Sequence, residues 1–285
     1  MSRKVVSFKK YHGIGNHFIV LEETSMPQDR DALTDLCKAL CNPFTGIGAD
    51  GVLMASKLDH HSFQMRIINP DGTEPEMCGN GIRCFVKYLL DTDQIKQEDS
   101  IVIDTLAGPI KPRVQENNNQ EALIEVDMGA PQLSSVAIPI KSEQKDFINQ
   151  ELKILDQAHL VTAVSMGNPH AVVFVDELEA IDFNALGPEL SSHASFPNQC
   201  NAEFVQILSK TEAKMRVWER GAGPTKACGT GACAVLVAGV LTQRLEERAT
   251  IHLPGGPLTI SWEGVGASVM MTGPAAFVFS GEYLY

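Results

Sequence analysis

Two short stretches of this chain, EMCGNGIRC from Glu76 and KACGTGACA from Lys226, share the pattern Cys-Gly-polar-Gly, and each opens an apolar run of helical character. Their thiols, Cys78 and Cys228, lie 228 − 78 = 150 positions apart. A repeat of strand, glycine-rich turn, cysteine and apolar helix restricts the fold to one with two similar halves. Identity between the halves is low, so the repeat is one of architecture.

The rest of the pattern is α/β with many strands. VSFKKYHG, HFIVLE and FQMRIIN read as strands by their β-branched and aromatic content. DRDALTDLCKALCNP reads as a helix, with Asp29 as N-cap and Asn42-Pro43 as its stop. NPDGTEPEMCGNG is a long turn, followed by IRCFVKYLLD at helical spacing and by strands SIVIDTLAG, IKPRVQ and ALIEVDMG. Turn chemistry in MGAPQLSSVAIPI marks a boundary near residue 128. Beyond it come strands LVTAVSMG and HAVVFVD, a polar helix-and-loop stretch to Asn201, and strands EFVQILS and AKMRVWERG. GAGPTKACGTG is the second glycine-rich turn, and ACAVLVAGVLTQRL is a helix apolar nearly all round, hence buried. ATIHLPGG, LTISWEG and SVMMTGPAAFVFSGEYLY are the closing strands.

With 285 residues, 44% of them hydrophobic and 20% charged, the chain can bury a sizeable core. A net charge of −12 argues against nucleic acid as a partner, because phosphate binding needs a basic face. An anionic small molecule is still compatible, since a helix terminus or an arginine acts locally. No apolar run reaches membrane-spanning length, and the start lacks the apolar core of a signal peptide, so a cytoplasmic protein is expected. Seven cysteines, an odd number, suit a reducing compartment. CKALC and CGNGIRC lack a metal-binding C-x-x-C pair, so no metal site is expected, and Cys37, Cys41, Cys84, Cys200 and Cys233 read as small core residues.

A cysteine followed by Gly-x-Gly at a helix start sits among unpaired N–H donors and about half a positive charge. Those donors can hold a carboxylate approaching over glycine backbone, and the same field is expected to lower a thiol towards neutrality. One such site suggests a nucleophile. Two suggest inversion at a carbon, where one group removes a proton from one face and a second returns one to the other.

KYHGIGNHFIV, NPDGTEPEMCGNGIRC, SMGNPH, MRVWERGAGPTKACGTGACA and LPGGPLTISW, in this order and over essentially the whole chain, resemble the motifs of diaminopimelate epimerases. The resemblance implies interconversion of LL- and meso-diaminopimelate, on the route to lysine and peptidoglycan, with no cofactor. It implies an α/β (α+β) fold of two pseudo-symmetric domains, each a curled mixed sheet or barrel around a central helix, with the active site in the cleft between them. The expected domains are 1–128, carrying strand 274–285, and 129–273. Cys78 and Cys228 would be the acid/base pair, tuned by His170 and Glu219. Asn16, Asn69, Asn168, Asn201, Glu219 and Arg220 would bind the amino-acid substrate, and the backbone at Gly79-Asn80 and Gly229-Thr230 would hold its reacting carboxylate. A homodimer is implied too.

Some positions depart from the family pattern. His17 stands where Asp is usual, Ala171 where Cys is frequent, Pro224 and Lys226 where other residues are common, and Gly51 where many members have a substrate-binding Gln. Two other readings of the motifs stay open. One is a related racemase of proline, hydroxyproline or histidine, and the other is a PhzF-like isomerase or binding protein on the same fold.

Overall fold

A computed structural model describes residues 4–285. The chain forms two compact units: the first takes in the described residues up to Val126 together with Thr272–Tyr285, and the second is Asp127–Met271.

In the first unit β1 (Val5–Gly13) and β2 (Asn16–Glu22) form an antiparallel pair. Helix α1 (Arg30–Cys41) then carries the chain to β3 (Gly51–Lys57), which runs parallel to β2. Asp29 caps α1 by accepting from the Ala32 amide at 2.9 Å, and Leu33, Leu36, Cys37, Leu40 and Cys41 form its buried stripe. β4 (Ser62–Ile68) is antiparallel to β3, and after α2 (Gly79–Asp91) the short β5 (Val102–Thr105) lies parallel to β4, with β6 (Gly108–Ile110) antiparallel beyond it. β7 (Arg113–Asn117) and β8 (Glu121–Asp127) form a hairpin. The last strand, Val269–Leu284, pairs antiparallel with β1 from Val5↔Leu284 to His12↔Ala276.

The second unit opens with β9 (Gln150–Ile154), antiparallel to β10 (Gln157–Ser165). β9 is missed in the sequence because QELKI offers only two apolar positions in five. From β10 the order of pairings repeats that of the first unit. β10 is antiparallel to β11 (Pro169–Val175), and α3 (Phe183–Ser191) crosses to a parallel β12 (Asn201–Ser209). β13 (Glu212–Glu219) is antiparallel to β12, and α4 (Gly229–Leu241) crosses to β15 (Arg248–Leu253), parallel to β13 and antiparallel to β16 (Gly256–Trp262). Between β13 and α4, the expected turn contains a three-residue strand, β14 (Gly223–Thr225), with Glu219 opposite Gly223. Gly221 and Gly223, at φ 77° and 76°, allow this tight return. The closing strand Val269–Leu284 is β17.

The two crossover helices are the centres of their units. α2 packs on β1, β2, β3 and β4, and every residue from Gly79 to Leu90 is buried. α4 packs on β10, β11, β12, β15 and β16, with Gly231–Gly239 buried. This is the expected fold class: mixed sheets, each built about a central helix. None of the seven cysteines is joined in a disulfide, and burial pushes Cys37 and Cys41 up to about 12. Among the described residues no helix is long and apolar enough to cross a membrane.

Burying α2 on all sides takes Lys87 out of solvent. Its ammonium is held by Asp91 Oδ1 at 2.7 Å, Asn117 Oδ1 at 3.1 Å and the Asn118 carbonyl at 2.7 Å. Asp91→Ala leaves that cation without its counter-charge and should lower stability by about 3 kcal/mol in urea unfolding. Adding Lys87→Met to Asp91→Ala should recover part of the loss. A double variant as unstable as the single one would count against this account.

Candidate active site

In the first unit Cys78 is the N-cap of α2, in extended conformation (φ −143°, ψ 116°) and half-buried. Its Sγ lies 4.0 Å from Asn16 Oδ1, which also accepts from Asn80 Nδ2 at 3.1 Å. Asn16 is fixed from the other side by Asp50, whose Oδ2 accepts from Asn16 Nδ2 at 2.8 Å and from the His17 amide at 2.7 Å. Asn80 is fixed by the buried Arg83, whose Nη2 donates to Asn80 Oδ1 at 2.6 Å. The guanidinium also meets the Gly79 carbonyl at 3.3 Å and the Pro274 carbonyl at 3.2 Å. Cys78, Asn16, Gly79 and Asn80 therefore form one connected site. Asn69 heads the turn after β4, bonding Thr73 through Nδ2 to Oγ1 at 3.0 Å. At Gly51 a Cβ would meet the Ile68 carbonyl at 3.3 Å and the Phe18 ring at 3.4 Å, so the neighbours close over this position.

In the second unit strand parity gathers the polar residues. His170 is opposite Asn201, and Glu203 is two residues on and opposite Val217. Glu219, two beyond Val217, shares their face. That face receives the N-terminus of α4, capped by Cys228, whose Sγ accepts from the Gly231 amide at 3.3 Å and lies 3.7 Å from Thr230 Oγ1. His170 is fully buried, with Nδ1 2.6 Å from Glu203 Oε1 and Nε2 3.0 Å from Asn168 Oδ1. Asn168 Nδ2 reaches Thr230 Oγ1 at 3.4 Å. Glu219 accepts a short hydrogen bond from Thr225 of β14. Asn201 bridges backbone, donating to the Pro169 carbonyl at 3.2 Å and accepting from the Arg220 amide at 2.9 Å. The exposed Arg220 side chain meets the Asn198 carbonyl at 3.2 Å through Nη1. Among the departing positions here, Ala171 is fully buried, while Pro224 and Lys226 face solvent.

The electrostatics of this second site reverse one expectation. Cys228 is not lowered towards neutrality: burial pushes its thiol well above the usual value of 9.0, and Glu219 and Glu203 push it further. Thr230 and the Gly231 amide oppose, but a first-turn field is outweighed by desolvation and two carboxylates. Glu219 is itself raised from 4.5, chiefly by burial and then by Glu203, against hydrogen bonds from Thr225 and Cys228 and the charge of His170. Thiol and carboxyl thus compete for protons that both hold tightly.

Glu203, Thr225, Asp50 and Arg83 were not anticipated. Read from sequence, EFVQILS begins at Glu203, whereas β12 begins at Asn201. Starting the alternation two residues earlier puts Asn201 and Glu203 on one face, and that is the signal that finds Glu203. Thr225 depends on β14, hidden inside a glycine-rich turn. Among the described residues no group of three or more His, Cys, Asp or Glu is placed to hold a metal ion.

The raised Glu219 has a stability consequence. Between 4.5 and its higher native value the folded chain holds a proton that the unfolded chain releases, so folding loses stability as pH rises through that window. Glu219→Gln cannot ionise and should melt above wild type at pH 8, the gain vanishing near pH 4. An equal difference at both pH values in scanning calorimetry would refute this.

A family model described as diaminopimelate epimerase matches residues 8–134 and 162–278. The chain is 50% identical over 284 residues to the diaminopimelate epimerase of Acaryochloris marina, covering 98% of each. It is 47% identical over 279 residues to that of Carboxydothermus hydrogenoformans, covering 98% of this chain and 99% of the relative. Among solved structures it resembles a PhzF-family phenazine biosynthesis protein of Bacillus anthracis (TM-score 0.72, 17% identity, 99% of this chain and 100% of that one). It also resembles a hydroxyproline epimerase of Agrobacterium vitis (TM-score 0.68, 14% identity, 100% and 92%). The solved structures share the fold; the sequence relatives and the two matched segments decide the lineage. The chain belongs to the diaminopimelate epimerase family.

Proposed function

We propose that this enzyme interconverts LL- and meso-diaminopimelate by two-base proton transfer between the α-carbon and the thiols of Cys78 and Cys228. The observation that carries the reading is the repeated placement of a cysteine as N-cap of a buried helix followed by Gly-x-Gly, in a chain of this family. In one direction one thiolate removes the α-proton and the other thiol delivers a proton to the opposite face; the roles exchange in reverse. The first-turn amides at Gly79-Asn80 and Gly229-Thr230 hold the reacting carboxylate and stabilise the enolate-like charge that develops on it. Glu219 and His170 set the protonation of the acid/base machinery, Glu219 by exchanging a proton with Cys228. The amides of Asn16, Asn69, Asn168 and Asn201 and the guanidinium of Arg220 receive the substrate's amino-acid groups, Arg220 as a fork for the distal carboxylate. That distal set favours diaminopimelate over proline, which has no second amino-acid end. The chemistry calls on no cofactor. The same reading places the enzyme in the cytoplasm as a homodimer serving lysine and peptidoglycan synthesis.

Turnover of LL-diaminopimelate in deuterated water, stopped at low conversion, tests the two thiols. The meso product should carry deuterium at the inverted carbon while recovered substrate stays almost unlabelled. Cys78→Ala and Cys228→Ala should each lower kcat by at least about 10³-fold, because each face loses its acid or base. Early product without solvent deuterium, or either variant working near the wild-type rate, would sink the mechanism.

Arg220→Lys replaces a bidentate fork with a point charge. KM for diaminopimelate should rise about tenfold, with a smaller change in kcat. Unchanged kinetics would remove Arg220 from the binding site.

A further inference from the structure

The repeated pairing order lets residues of the two units be matched by register. Phe18 is opposite Gly51 and Val20 opposite Leu53, as His170 is opposite Asn201 and Val172 opposite Glu203. The helices agree with this match. A Cβ built on Gly81 would lie 3.5 Å from Leu53 Cδ2 and 3.4 Å from Cys78 Cβ. Built on Gly231, it would lie 2.9 Å from Glu203 Oε1 and 3.4 Å from Cys228 Cβ. The apolar pair Phe18 and Leu53 in the first unit is thus an ionisable pair, His170 and Glu203, in the second. The matched position of the first unit holds a leucine, so the shared backbone frame does not of itself call for a carboxylate there.

That carboxylate is expensive to bury. Glu203 is fully buried, and its Oε2 has no hydrogen-bond partner among the described residues. Its Oε1 faces His170 Nδ1 at 2.6 Å. A carboxylate only accepts, so this contact is a hydrogen bond in which Nδ1 donates. Nε2 faces a second acceptor, Asn168 Oδ1, at 3.0 Å, and a proton there completes the contact. With its carbonyl turned to the ring, Asn168 presents its NH₂ to Thr230, beside Cys228. A ring lacking the Nε2 proton would instead take a hydrogen bond from the NH₂ and turn the amide carbonyl outward, exchanging a donor for an acceptor.

We propose that Glu203 is a positioning residue for the reaction, which through His170 holds Asn168 with its amide NH₂ turned towards Thr230 and the substrate. The proposal rests on the reading of Asn168 as a substrate-binding residue. Other ionisable groups bear on Glu203: Glu219 on β13 and Cys228 at the head of α4, both pushed up in part by its charge, and Cys200 ahead of β12, which Arg220 offsets.

The test combines spectroscopy and kinetics on the full chain. ¹⁵N-histidine NMR of wild type at neutral pH, with His170 assigned from a His170→Gln sample, should show a proton on both ring nitrogens. Glu203→Gln should show one, with KM for LL-diaminopimelate raised about tenfold; kcat shifts too, because the lost charge also bears on Cys228 and Glu219. Glu203→Asp should restore both protons and part of the affinity. The double replacement His170→Phe, Glu203→Leu installs the other unit's apolar pair and should melt no lower than wild type while losing affinity to the same degree. A wild-type ring with one proton, a Glu203→Gln enzyme with unchanged KM, or a double variant melting well below wild type would each overturn the proposal. Asn168→Ala with unchanged KM would remove Asn168 from the substrate site and the role of Glu203 with it, while the ring-proton change in Glu203→Gln would remain visible.

Discussion

Everything in each unit turns on a helix that has no side left for water. α2 and α4 are surrounded by sheet, so their first-turn amides must end in polar company rather than solvent. Cysteine is a weak cap, and the Cys228 sulfur accepts one first-turn amide, from Gly231. In the proposed mechanism the substrate carboxylate meets the helix starts over the glycines that follow each cysteine. Gly231 has no room for a Cβ, which would stand 3.0 Å from the sulfur and 2.9 Å from Glu203.

Around these matched starts the two units diverge in charge. The Cys78 end is organised by neutral amides, Asn16 and Asn80, with the buried Arg83 behind them. The Cys228 end is organised by Glu203, Glu219 and His170. Duplication supplies the backbone frame twice, and substitution at a handful of inward-facing strand positions gives each frame its own set of polar and charged groups. A pair of groups exchanging the roles of acid and base need not have identical surroundings, only surroundings that let each one lose and regain a proton.

Much of this was legible in the sequence. The Asp29 cap and the stop at Asn42 for α1, the buried character of α4 and the architectural repeat all follow from local chemistry with short reach. The cysteines and glycines of the two helix starts were visible for the same reason. What escaped depends on contacts across strands. Glu203 acquires its partner only when β11 and β12 pair in parallel, and Thr225 reaches Glu219 only because β14 folds back on β13. The acidity of Cys228 was misjudged because the helix field is local and readable, whereas the two carboxylates are brought by register.

The closing strand adds a constraint of a different kind. β17 bonds first to the second unit, where its Val269 amide donates to the Gly129 carbonyl at 2.9 Å, and then runs beside β1 as far as Val5. The second unit is one unbroken stretch of chain, while the first is assembled from the segments on either side of it. On a ribosome, where the chain emerges in order, the first unit cannot close before the second has been made. β1 is made before the second unit and waits with one edge unpaired until Thr272–Tyr285 has followed that unit, a period in which its exposed N–H and C=O groups depend on the chain's own timing, or on a chaperone, to stay unclaimed.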